Sequence, residues 1–342
     1  MLARPATPSL ASLPGELWDL VIDSLNRDHQ TLGVCIGVCR TFRVRALFHL
    51  MECLELSHVR PKSANPMELL DLLEKNPTFY GAFPRKILLD CVEFDTVSRP
   101  LQTRALRLIP RLTSLRDLRL LSLESYVLPR SALFASVCTL GLEGCSFDAR
   151  ELDGLLCLFP ALEELFLASC VIMDNQSTVV SLPAWGRTVS LDLQIGTGFD
   201  APSSGSFEWA TQRARHFSYR SLTLGLQSID GKTLTQRIDA VGPHLKQLRI
   251  DLGQSSHAGD APSKAAMAIS GCLSLEELDM HIGYISDLRY IGTPAMSCRS
   301  LTVRLTHRNR QTYDQVRMQW NEWISHTLIP MTTLFYHGDV LA

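Results

Sequence analysis

Two cysteines, Cys35 and Cys39, stand four residues apart in the stretch "CIGVC". Residues four apart share one face of a helix, so the pair could form a thiol couple or half of a metal site. A metal site needs a second ligand pair, and the chain has no C-x-x-C. Its ten histidines are scattered, and His281, His307 and His337 lack cysteine or carboxylate partners at ligand spacing. There is no phosphate loop, no H-E-x-x-H, no G-x-S-x-G and no kinase motif set. No catalytic residue, metal or cofactor is therefore expected, and the chain reads as a binding protein.

The elements that hold this pair explain it better than thiol chemistry does. Of 342 residues, 46% are hydrophobic and 20% charged, enough for a sizeable core. The formal net charge is −2 without a block of like charges, which argues against a nucleic-acid partner. No apolar run reaches membrane-spanning length, and the N-terminus lacks an apolar signal core. Residues 1–9 are expected to be disordered, and the protein to reside in the cytoplasm or nucleus, with no membrane partner. Ten cysteines suit a reducing compartment, where a free cysteine acts as a small hydrophobe.

The segment "SLPGELWDLVIDSL", Ser12 to Leu25, has Pro14 and Glu16 where a first helical turn wants them. A second helix is expected from Thr31 to Leu47. Leu32, Cys35, Ile36, Cys39, Phe42 and Ala46 fall on one of its faces, with Val34 and Val38 off that stripe. A helix apolar on more than one side must be covered on more than one side, and about 45 residues bury too little surface alone. One side of the unit packs internally and another wants a partner. On this reading both cysteines are packing residues.

The residues Leu13, Pro14, Glu16 and Leu17, then Ile22 and Leu25, then Val38, Cys39, Arg40 and Phe42, recur in the order and spacing of a known motif. Residues 10–56 resemble an F-box, in a form similar to the large F-box families of fungi. The resemblance implies a substrate-recognition subunit of a ubiquitin ligase. Its partners would be a Skp-type adaptor, through it a cullin scaffold, and a protein substrate of unknown identity. Carried over by position, Leu13, Pro14, Leu17, Leu25, Val38 and Cys39 would supply the apolar adaptor contact. The alternative is an interaction scaffold that does not support ubiquitin transfer.

The rest of the chain is repetitive. "VCTLGLEGCSF" at Val137 and "LEELFLASCVI" at Leu162 agree at Leu140/Leu165, Leu142/Leu167 and Cys145/Cys170. This is the L-x-x-L-x-L-x-x-C pattern of a leucine-rich repeat. Weaker copies anchor on Ile87, Leu118, Leu191, Leu222, Leu248, Leu278, Leu301 and Leu334. Helices fall between them: Asp148 and Glu151 have capping-box spacing, and Asn65, Pro66 and Glu68 open another helix. The expected fold is α/β. A short N-terminal helical unit precedes a leucine-rich-repeat horseshoe with parallel strands on the concave side and helices on the convex side. The expected divisions are 10–56, a helical linker at 57–84 packing on the first repeat, and a solenoid of about ten irregular rungs over 85–342. Two Gly/Ser/Pro-rich stretches, 196–206 and 253–263, read as solvated loops.

Residues alternating with the inward leucines face outward. They include Arg119, Glu143, Phe166, Asp192, Arg249, Asp251, Asp279, His281, Arg304 and Phe335. Arg119, Phe166, Arg249, Asp279, His281, Arg304 and Phe335 are the candidate target contacts, with the two phenylalanines as anchors. Arg119, Arg249 and Arg304 sit on separate rungs, which argues against a basic phosphate pocket.

Overall fold

The computed structural model describes residues 14–57, 65–90, 98–123, 133–173, 182, 185, 188–195, 204–213, 216–225, 234, 238–239, 241–252, 261–282, 298–305, 313–325, 331–336 and 339–341. Residues 1–9, Leu13, His307, His337 and loops 196–203 and 253–260 lie outside them, as do the side chains of 331–336, Phe335 included.

Three helices come first: α1 (Gly15–Ser24), α2 (His29–Cys35) and α3 (Arg40–Met51). Pro14 is the residue just before α1, and Asp28 caps α2 by accepting from the Thr31 amide at 3.0 Å. The expected continuous helix over 31–47 is broken between Cys35 and Arg40. Cys39 is extended, with φ −158° and ψ 173°, and its Sγ accepts from the Phe42 amide at 3.5 Å as the cap of α3. Gly33, just before this break, and Gly37, within it, weaken helix propensity. The two cysteines are thereby separated in role: Cys35 is buried and Cys39 exposed.

Ile22, Leu32, Cys35 and Ala46 form a small core, with Leu25, Ile36, Phe42 and Leu50 packed against it. Across it, Asp23 of α1 takes a bidentate contact from Arg45 of α3 and lies 2.7 Å from His49 Nε2. The Arg45 hydrogen bond holds the Asp23 carboxyl down at about 2. Further along α3, Met51 is buried in the main core and Leu47 and Phe48 pack on it. Arg85, next to the first long repeat strand, stacks over the Phe48 ring at 5.1 Å.

Fourteen strands follow among the described residues. They are β1 (Cys53–Leu56), β2 (Lys86–Asp90), β3 (Asp117–Leu121), β4 (Thr139–Glu143), β5 (Ser146–Asp148), β6 (Glu164–Ala168) and β7 (Val171–Met173). Then come β8 (Val189–Ile195), β9 (Phe217–Gly225), β10 (Gln247–Asp251), β11 (Glu277–Ile282), β12 (Ser300–Leu305), β13 (Met331–Tyr336) and β14 (Asp339–Leu341). Twelve make one sheet in the order β1-β2-β3-β4-β6-β8-β9-β10-β11-β12-β13-β14. Every pairing is parallel except the terminal β13/β14. β5 and β7 pair separately, placing Phe147 beside Ile172. The fold is a leucine-rich-repeat-like α/β array. Its sheet begins at Cys53, well before residue 85, because "CLEL" has the same alternation as the later rungs and pairs with β2.

Leu54, Ile87, Leu118, Leu140, Leu165 and Leu191 line up across the sheet. At β8/β9 the anchor row steps sideways. Leu191 pairs with Tyr219, and Leu222 faces Leu193 rather than Leu191. A bulge in nine-residue β9 leaves Arg220 as the extra residue. At the far end Leu334 faces Val303, and Thr332 occupies the row of Leu301. The shift at β13 is two residues and keeps the alternation, while the bulge sets buried Tyr219 and Leu222 three apart, a step that the L-x-x-L-x-L pattern already contains.

Helices cover one side of the sheet. The linker region holds α4 (Pro66–Lys75) and α5 (Pro77–Tyr80), with Leu70 and Leu73 in the main core. Asn65 caps α4 through the Met67 amide at 3.0 Å. α6 (Ser98–Leu108) buries Leu101, Ala105 and Leu108, and α7 (Ala149–Leu156) has both halves of the Asp148/Glu151 capping box. α8 (Ser204–Gln212), α9 (Ala261–Ser270) and α10 (Tyr313–Ile324) follow later in the chain. The ends of both expected loops, 204–206 and 261–263, are therefore helical first turns. Gly205 lies so close to the Ile172 carbonyl that no Cβ fits there.

The chain leaves β3, β4 and β6 through Ser122, Gly144 and Ser169, all with φ between 50° and 62°. The residue after each turn drops into the core as Leu123, Cys145 or Cys170. Cys170 Sγ lies 3.3 Å from the Leu142 carbonyl of the preceding rung. These cysteines are interior spacers and not ligands.

On the helix side, Asp153 of α7 is fully buried and accepts three hydrogen bonds. Two come from Arg213, at 2.7 and 2.6 Å, and one from Trp209 Nε1 at 3.0 Å. Arg213, also buried, stacks over the Trp209 ring at 5.1 Å. The clamp joins α7 to the end of α8.

Candidate protein-binding surfaces

The first surface is on the N-terminal helices. Leu17, Leu20 and Val21 share one face of α1 and are 45%, 64% and 47% exposed. Val34, near the end of α2, and Val38, in the turn that follows it, are 69% and 60% exposed, and Val44 of α3 is exposed as well. Among the residues expected to touch an adaptor, Pro14, Leu17, Val38 and Cys39 are on the surface. Leu25 is not; it is half-buried against the small core. Leu20, Val21, Val34 and Val44 join the exposed set, though the motif does not mark them. Their signal was an apolar residue on the side of a short helix away from its core stripe. Exposed apolar side chains this dense on one small unit are the mark of an interaction site.

The second surface is the open face of the sheet. Along it stand the residues that alternate with the buried leucines of each strand, pointing away from the helices. Arg119, Phe166, Arg249, Asp279, His281 and Arg304 all lie on this face. They divide into two groups.

The C-terminal group is drawn together. Asp279 of β11 sits between Arg304 Nε at 3.2 Å and Arg249 Nε at 3.6 Å. The two arginines occupy separate strands, as expected, yet converge on one carboxylate. Arg249 Nη2 lies 2.8 Å from His281 Nε2. A guanidinium has only hydrogens to offer, so Nε2 is the acceptor and the imidazole is neutral. Burial, followed by the Arg249 charge, pushes the His281 pKa below its ordinary value. Beside Asp279 a shallow hollow of about 240 Å³ is lined by Ser221, Thr223, Gln247, Arg249 and Glu277.

The N-terminal group centres on Phe166 of β6, which is half-buried. Its register neighbours are Gly141 of β4 and Asp192 of β8. Glu164 precedes it by two residues on the same face, and Glu143 stands on β4 opposite Ala168. Arg119 belongs to the same row but turns elsewhere. Its stem lies over Gly141 and its Nε is 3.7 Å from Asp117. The role of Glu164 as a neighbour of Phe166 was not among the sequence expectations, nor was Arg220, whose Nη1 reaches Glu164 at 3.2 Å. Only the bulge brings Arg220 there.

Among the described residues no cluster of His, Cys, Asp and Glu could hold a metal ion, and no helix is long and apolar enough to cross a membrane. No protein-family model and no curated protein matches the chain. Among solved structures it is similar to the leucine-rich repeat-containing protein LegL7 from Legionella pneumophila. The identity is 13%, the match covers 85% of this chain and 92% of that one, and the TM-score is 0.43.

Proposed function

We propose that the N-terminal helices dock on a Skp-type adaptor and that the open face of the sheet holds a protein target. The chain would then serve as the substrate-recognition subunit of a cullin-based ubiquitin ligase. The observation that carries this reading is the exposure of Leu17 and Val38, two residues of the F-box-like pattern, on a unit with only a small core of its own. The repeat array supplies a protein-interaction scaffold behind them. Phe48 and Met51 couple the helical unit to that array, so both bound proteins would be held in a set geometry. Holding target and conjugating machinery on one frame raises their effective concentration without any chemistry in this chain.

Co-purification of the tagged full chain tests this. The adaptor should come down with the parent and be lost with Leu17→Asp/Val38→Asp, while thermal melting stays near the parent's. The reading fails if no adaptor is recovered even at low salt, or if the double variant still recovers it. Recovery of adaptor without cullin would favour the scaffold that does not support ubiquitin transfer.

A further inference from the structure

We infer that the Arg249 side chain is an arm with two positions, set by the protonation of His281. With His281 neutral, the arm leans on the imidazole and leaves the hollow beside Asp279 open. With His281 protonated, it swings across the hollow toward Glu277. The switch does not depend on what the open face binds.

The structure holds the first position. Arg249 Nη2 lies 2.8 Å from His281 Nε2. His281 is one same-face step beyond Asp279 on β11 and does not line the hollow, so the guanidinium is drawn to one end of it. The space beside Ser221, Thr223 and Glu277 stays free.

That contact exists in one protonation state alone. A guanidinium carries only donors, and so does an imidazolium. Once Nε2 takes a proton, two like charges stand 2.8 Å apart with no acceptor between them. Both cations then need carboxylates. Among the described residues, the charged groups facing His281 are Arg249 and Asp251 on β10, Asp279 on its own strand and Arg304 on β12. The imidazolium has Asp279 Oδ1 within 3.9 Å, an oxygen that already accepts from Arg304 Nε at 3.2 Å. With Asp279 thus shared, Arg249 is left with Glu277. No lysine or arginine among the described residues pairs with Glu277, and Lys246 is taken by Glu276 at 3.2 Å. Glu277 stands beside Gln247, two residues back along β10 from Arg249, so reaching it carries the guanidinium from the His281 end of the hollow to the other. Burial and the Arg249 charge oppose the protonation while Asp279 and Asp251 favour it, and the exchange falls below the ordinary histidine midpoint of about 6.5. A target filling the hollow would be released in acid, a consequence that rests on the open face being the target-binding surface.

Nuclear magnetic resonance of the full chain, with isotope-labelled histidine and arginine, tests this between about pH 7.5 and pH 5. Near neutral pH His281 should carry its proton on Nδ1, and the Arg249 Nε resonance should shift with the same midpoint as the His281 ring. In His281→Gln the amide oxygen accepts at every pH, so the Arg249 resonance should stay flat. In Arg249→Gln the His281 midpoint should rise, by about threefold or more in proton affinity. In Glu277→Gln the Arg249 shift should shrink. All three are surface changes, and amide spectra away from β10–β12 should match the parent's. A neutral His281 protonated on Nε2, an Arg249 resonance that does not titrate, or one that titrates alike in His281→Gln would overturn the inference. So would an unmoved His281 midpoint in Arg249→Gln, or an Arg249 shift of parental size in Glu277→Gln. Adaptor recovery involves none of these residues, so failure here leaves the reading of the N-terminal helices standing.

Discussion

Replacing Asp153 by alanine should remove more stability than any surface change in this chain. The carboxylate is fully buried, and its three donors are the two guanidinium nitrogens of Arg213 and the indole N–H of Trp209. In Asp153→Ala the guanidinium stays buried with its charge uncompensated, and the indole loses its acceptor. Breaking a buried pair in this way costs about 3–5 kcal/mol. That is a large share of a total stability of roughly 5–15 kcal/mol. Removing both charges is different, because the desolvation of each ion is removed with it. Asp153→Leu/Arg213→Met should therefore lie within about 1–2 kcal/mol of the parent. Urea unfolding followed by far-UV circular dichroism reads the difference. With a slope of about 3 kcal/mol/M, the single change should lower the midpoint by about 1–1.7 M and the double by less than half of that. A single variant within about 0.3 M of the parent, or a double variant no better than the single, would refute the reasoning. The outcome bears on function, because α7 leads into β6 and α8 into β9. The clamp thus sits behind the strands that carry Phe166 and Arg220.

Two further outcomes follow from named contacts. Cys39→Ser should keep or raise thermal stability by about 0.5–1 kcal/mol, since a hydroxyl is a better helix cap than a thiol, whereas Cys35→Ala should lower it by opening the small core. Equal effects in a melting comparison would show that the two cysteines share one environment after all. His281 has a folded pKa below its unfolded value of about 6.5, so the unfolded chain binds the proton first. Its contribution is present above that value and is lost as pH falls through the folded pKa. Melting temperature should therefore fall between about pH 7 and pH 5, with a smaller fall in His281→Gln, and identical slopes for the two proteins would count against the Arg249 contact.

The leucine ladder and the helices between its rungs were legible because period-two and helical spacing depend only on local chain geometry. Asp148/Glu151 closes its capping box as its spacing demands, for the same reason. Val34 and Val38, which lie off the expected core stripe of the second helix, are exposed, as helical spacing alone implies. What the sequence could not decide was register and relief. The bulge at Arg220 sets buried Tyr219 and Leu222 three apart, the same step that L-x-x-L makes in other repeats, so the spacing does not mark it, yet it brings a guanidinium to Glu164. The break at Cys39 depends on how α3 packs against α1 and α2, and it turns one supposed cysteine pair into a buried residue and a cap. Arg249 and Arg304 lie far apart in sequence and meet at Asp279 only because parallel strands bring non-consecutive residues side by side. Local spacing determined which residues point inward or outward; tertiary pairing alone decided which outward residues became neighbours, because the strand-to-strand offset is set by the whole stack.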